Sequence, residues 1–138
     1  LPDRIQQWLD AWPIPFPSPE HARAFFVSQG LAPDAWIAGL ERHDDGLWPA
    51  FDATVIVDCI ADLAARDYRS SWEAIRCPTL IIRGEHGNFS AEHVEELARA
   101  LAHGETATIP NAGHDAHVEN PGEWLLTLQQ FLARRRLT

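Results

Sequence analysis

The stretch from Thr106 to Pro121, TATIPNAGHDAHVENP, constrains the fold more than any other: a short apolar alternation is broken by a turn, and a histidine follows. Thr108 and Ile109 close a run with strand character. Pro110 and Asn111 interrupt it, and Gly113 frees the backbone to present the next side chain at a strand's carboxyl edge. An imidazole placed there is well sited to move protons, because its unperturbed pKa lies near neutrality. His114 is therefore the leading candidate for chemistry, while His117, three residues on, reads as a structural or pocket-edge histidine.

The segment before this stretch supplies a sheet for the histidine to stand on. Leu80, Ile81 and Ile82 form a continuous apolar run, which predicts a strand buried on both faces and hence a parallel sheet. Ser90 caps a helix, SAEHVEELARALAH, with acidic residues in its first turn and Val94, Leu97, Ala98 and Leu101 on one face. Gly104 ends it. Strand, helix and a second strand from Glu105 to Ile109 then make one right-handed βαβ crossover. A closing helix over Glu123 to Ala133 places Trp124, Leu125, Leu128, Phe131 and Leu132 on one face.

The first half reads as helices joined by turns, with little strand signal. Ile5, Trp8, Leu9 and Trp12 share a face of a short helix that ends at WPIPFPSPE, where four prolines favour a stiff, extended connector. Ser18 and Pro19 start a helix running to Gly30, and Pro33 to Leu40 forms another with Trp36, Ile37 and Leu40 on one side. ERHDDGLWPAFD reads as a turn, in which adjacent His43, Asp44 and Asp45 are poorly arranged to converge on a metal. Asp52 caps a longer helix to about Arg66, with Val55, Ile56, Cys59, Ile60 and Leu63 on a wide apolar face.

Composition excludes several classes. A formal charge of −9, with the one dense basic run at Arg134 to Arg136, argues against nucleic acid, since such a run complements a helix dipole or frays. The apolar runs are too short to span a bilayer, so no membrane is expected. Two cysteines, Cys59 and Cys77, imply no disulfide framework and suit a reducing cytoplasm. Their apolar sequence surroundings make neither an attractive nucleophile. The chain begins with Leu and not Met, and its first ten residues lack a signal peptide's pattern, so an upstream segment is expected to be missing.

Joined together, "CPTLIIRGE", "ATIPNAGHDAHVENP" and the closing helix ending "FL" resemble the C-terminal end of an α/β-hydrolase: penultimate core strand, helix, last strand with the catalytic-histidine loop, final helix. The resemblance covers Ser70 to Leu132 closely and Leu1 to Arg69 only by position. It implies an α/β fold made of a helical cap (residues 1–69) followed by a βαβα segment of the core with two parallel strands (residues 70–138). It also implies that His114 is the catalytic base and that the cap's Trp and Phe side chains roof an apolar pocket. One part of the family pattern is absent. No Gly-x-Ser-x-Gly elbow or Asp equivalent occurs, and Ser18, Ser28, Ser70, Ser71 and Ser90 all have capping or loop explanations.

The family's acid slot, counted from Gly84, falls on Gly87. Glu85 is then the first candidate acid, Asp115 the second, and a carboxylate in a missing upstream segment the third. The expected function is that of a C-terminal part of a hydrolase acting on a small ester, lactone or epoxide-like substrate. Such a part needs no cofactor, is inactive alone, and works with the missing N-terminal half. The alternative is a non-catalytic truncated domain that homodimerises or binds a partner through its apolar cap or exposed sheet edge. A metal site from His114, Asp115, His117 and Glu119 is a third reading, with a spacing that matches no zinc signature.

Overall fold

The structure, a computed structural model, describes residues 1–136 of the 138, and for Arg136 the backbone only. The chain divides into two compact units, Leu1–Asp67 and Tyr68–Thr138.

The first unit contains α1 (Pro2–Asp10), α2 (Pro19–Ser28), α3 (Pro33–Ala38), β1 (Leu40–His43), β2 (Gly46–Pro49) and α4 (Ala53–Ala64). Prolines open α1, α2 and α3, where the missing N–H costs nothing. The Asp52 side chain accepts from Thr54 N at 2.8 Å to start α4. The stretch expected to be a plain turn is an antiparallel hairpin, pairing Glu41 with Trp48 and Arg42 with Leu47. Its loop is Asp44–Asp45, and Gly46, at φ 143°, takes the backbone conformation that a side chain resists. The proline-rich connector is extended at Phe16, which exchanges both backbone bonds with Leu47 at 2.9 Å.

Trp12 is the centre of this unit. It is 5% exposed, with Trp8 and Phe26 rings 5.1 Å away and those of Trp36 and Phe51 at 5.7 and 5.9 Å, all edge-on. The broad apolar face of α4 is only partly used. Ile56 and Val57 pack on the core, while Val55 and Leu63 are more than half exposed. Cys59 lies exposed on the same helix, and Cys77 is exposed as well, which corrects the expectation of apolar surroundings for both thiols.

The second unit contains α5 (Arg69–Glu73), β3 (Thr79–Gly84), α6 (Ala91–Arg99), β4 (Gly104–Ile109), α7 (Ala116–Glu119) and α8 (Pro121–Arg136). β3 and β4 pair in parallel, from Thr79 opposite Gly104 to Gly84 opposite Ile109. The Ser90 hydroxyl accepts from His93 N to start α6, whose Val94 and Ala98 are buried where the helix packs on both strands. Trp72 donates from Nε1 to Leu97 O at 2.9 Å and ties α5 to α6.

Two expectations change here. Leu80, Ile81 and Ile82 are half-buried and not sandwiched: α6 packs on β3, and among the described residues β4 is its one paired strand. The closing helix splits its apolar residues: Trp124 packs on the small core of Ile109, Ala112 and Ala116, and Phe131 is buried, whereas Leu125, Leu126 and Leu132 are exposed. Of the basic run, Arg134 and Arg135 both pair with Glu105 of β4, Arg134 at 2.8 Å. The hydrogen bond from Arg134 holds the Glu105 carboxyl below its ordinary range, with burial opposing and Arg135 assisting. No described helix is long and apolar enough to cross a membrane.

Candidate active site

The loops that leave the carboxyl ends of β3 and β4 are bound to each other. Glu85 N donates to Ile109 O and His86 N to Ala112 O, both at 2.9 Å, so the sheet's ladder continues past the strands. Asn111 turns the second loop at φ 53°, a left-handed conformation that asparagine tolerates better than most residues. Gly84 is required where the loops meet, since a Cβ there would lie 2.0 Å from Gly113 O.

His114 stands in the second loop with an exposed side chain. Its Nδ1 is 3.3 Å from Asn88 Nδ2 in the loop after β3. The backbone on either side is held by one carboxylate: Glu119 accepts from Gly113 N at 2.6 Å through Oε2 and from Asp115 N at 3.1 Å through Oε1. Asn120 adds a third tie, donating from Nδ2 to Pro110 O at 3.0 Å. These bonds fix the segment that carries the imidazole, with α7 acting as the post from which Glu119 reaches back.

Glu85, the carboxylate expected to serve His114, accepts from Asn111 N at 2.9 Å and lies 3.9 Å from the His86 ring. The side chain at His114 Nδ1 is Asn88, one residue beyond the glycine in the expected acid slot. Asp115 opens α7, and His117 lies within it with its ring 6.2 Å from that of Trp124. Among the described residues no three His, Cys, Asp or Glu side chains converge as a metal-binding group. In the four-residue set read from the sequence, both oxygens of Glu119 are bonded to backbone N–H groups.

A cleft of about 240 Å³ runs beside these loops. Ile81, Ile82, Val94 and Leu97 give it apolar walls, and Asn88 and His114 also line it. The imidazole thus sits where an apolar surface meets polar groups, an arrangement able to pass a proton to or from a bound group.

Asn88 and the positioning role of Glu119 were not read from the sequence. The signal for Asn88 was its place next to the vacant acid slot. The sequence offers Glu119 only as a candidate metal ligand, and its grip on two amides depends on a backbone reversal that no residue pattern states. Glu119→Ala is expected to loosen this loop by about 1–2 kcal/mol, the lower range for charged hydrogen bonds because the side chain is exposed. Amide hydrogen exchange checks it: Gly113 and Asp115 should exchange about tenfold faster while the amides of β3 and β4 keep their protection.

Comparison with known proteins agrees with this architecture. The family model described as "Alpha/beta hydrolase family" matches residues 1–128. Among solved structures, E-2-(acetamidomethylene)succinate hydrolase superposes with a TM-score of 0.80 at 21% identity, over 96% of this chain and 52% of that one. An esterase from M. tuberculosis gives 0.66 at 17% identity over 96% and 47%, and a marine microorganism esterase gives 0.60 at 17% over 94% and 51%. The chain spans about half the length of the solved structures it matches.

Proposed function

Because this chain belongs to the alpha/beta hydrolase family, we propose that it forms the C-terminal half of a hydrolase for a small ester, lactone or epoxide-like substrate, in which His114 is the base. The observation that carries the reading is the histidine's seat: a loop at the carboxyl end of a parallel strand, braced on both flanks by Glu119. In such an enzyme His114 takes the proton of the attacking hydroxyl or water through Nε2 and returns it to the departing oxygen. Glu85 is the carboxylate of the loop after β3. In this reading it steadies the turn through Asn111 and supplies negative charge from there, while contact with the ring falls to Asn88.

The nucleophile comes from a complementary half. Support for that lies in the half-length coverage of the matched structures and in the absence of a nucleophile elbow from the sequence. The half-buried Leu80 to Ile82 on the open side of β3 are what a further core strand would cover. Residues 1–69 then serve as the cap, with the aromatic cluster around Trp12 as its own core.

The test is reconstitution. Combined with a segment bearing a strand–elbow–helix unit, the chain should hydrolyse short-chain p-nitrophenyl esters or an epoxide, with neither part active alone. A stable assembly of the two that turns over neither substrate class would count against the reading. A second reading, a non-catalytic module that pairs with another chain or with itself, draws on the exposed Val55 and Leu63 of α4 and the open edge of β3. A defined complex without turnover would favour it.

A further inference from the structure

We propose that Asn88 is the positioning residue of His114, orienting its ring through an uncharged amide at Nδ1 where a carboxylate would be expected. The inference rests on the reading of His114 as the base and deepens it. Asn88 and His114 are 26 positions apart and lie on the loops after two different strands, with their side-chain nitrogens 3.3 Å apart.

The loop that carries Asn88 is built to hold it there. Arg83 reaches both ends of that loop, donating from Nη2 to Glu85 O at 2.8 Å and from Nε to Phe89 O at 3.0 Å, while Nη1 meets Thr108 Oγ1 at 3.3 Å. Gly87 N closes the turn on Gly84 O at 3.1 Å. A Cβ at Gly87 would come within 3.2 Å of Gly113 O, so a side chain in the acid slot would press on the histidine loop. Asn88 is the next side chain, and it is the one at Nδ1.

The chemistry follows from the groups present. A neutral imidazole has one donor and one acceptor nitrogen, and the asparagine tip offers both an acceptor oxygen and a donor N–H₂ that exchange places when the amide turns. In the structure Nδ2 is the amide atom facing Nδ1; with the amide turned so that Oδ1 accepts from Nδ1–H, the lone pair is left on Nε2, where a base must act. With the N–H₂ donating to Nδ1, the proton would sit on Nε2 and the ring could not accept there. Asn88 therefore sets the tautomer, but it brings no charge to oppose an imidazolium. Glu85, the negative group in the same loop, is bonded to Asn111 N.

Nitrogen-15 NMR of His114 in this chain, at a pH where the ring is neutral, tests the proposal without needing turnover. The Nδ1–H tautomer should dominate. Asn88→Ala should shift the tautomer ratio toward Nε2–H by about fivefold, the factor a hydrogen bond of ordinary net strength confers. Asn88→Asp, which keeps an acceptor oxygen at the same reach, should retain the Nδ1–H form. An Nε2–H ring in the parent chain, or a ratio indifferent to Asn88→Ala, overturns the proposal. The base reading fails separately, by turnover that survives His114→Ala.

Discussion

Gly84→Ala is expected to cost about 3 kcal/mol or more, the upper range for forcing extra volume into a closed contact. The glycine is not there for backbone freedom. A Cβ at this position would lie 2.0 Å from Gly113 O, 2.5 Å from Ala112 O and 2.8 Å from Ala112 C. All three are backbone atoms, so no rotamer change makes room, and the two loops must separate. Separation breaks the bonds from Glu85 N to Ile109 O and from His86 N to Ala112 O, and it undoes the Glu85 tie to Asn111. Gly122→Ala is the control. A Cβ there meets nothing within 4 Å, and at the start of α8 alanine gains helix propensity of up to about 1 kcal/mol. Urea titration followed by circular dichroism should therefore show the first variant's midpoint well below the parent's and the second's at or above it. Equal midpoints for Gly84→Ala and the parent would mean that the loops do not meet at this glycine.

That contact also marks how far the sequence could be read. The βαβ segment was legible because a continuous apolar run, a Ser cap with its helix and a terminating glycine each have a local cause. The histidine's loop was legible because Pro110, Asn111 and Gly113 can hardly do anything but turn. The hairpin at Leu40–Pro49 is hard to read although Asp45–Gly46 is a hairpin signal. Glu41, Arg42 and His43 lack the apolar alternation that would have pointed to a strand, and the partner that completes the pairing is Phe16 from the proline-rich connector. The burial of Leu80 to Ile82 was overestimated for a different reason. Apolarity records what a strand can bury, while the neighbours present decide what it does bury. Asn88, Glu85 and Glu119 were illegible for a third reason, since their partners are set by loops that approach from 26 positions away or fold back within six.

His114→Ala is expected to lower turnover in the reassembled hydrolase by about 10²–10⁴-fold, the range that a positioned acid–base group contributes, with KM little changed. The structure explains why this loss can be separated from misfolding. The His114 side chain is exposed and its hydrogen bond is to Asn88, whereas the loop around it is held by Glu119 and Asn120 through backbone groups that the substitution leaves intact. The stability of this chain should therefore move by no more than about 0.5 kcal/mol, as for a surface position away from a structural feature. Added imidazole gives the sharper reading. It can enter the space left at an exposed site, accept the nucleophile's proton, and restore part of the lost rate to His114→Ala while leaving His117→Ala and the parent unchanged. A histidine needed only for shape would not be rescued by a diffusing base. Turnover within tenfold of the parent, with no response to imidazole, would move the base elsewhere and leave the Asn88–His114 pair as a strut between two loops.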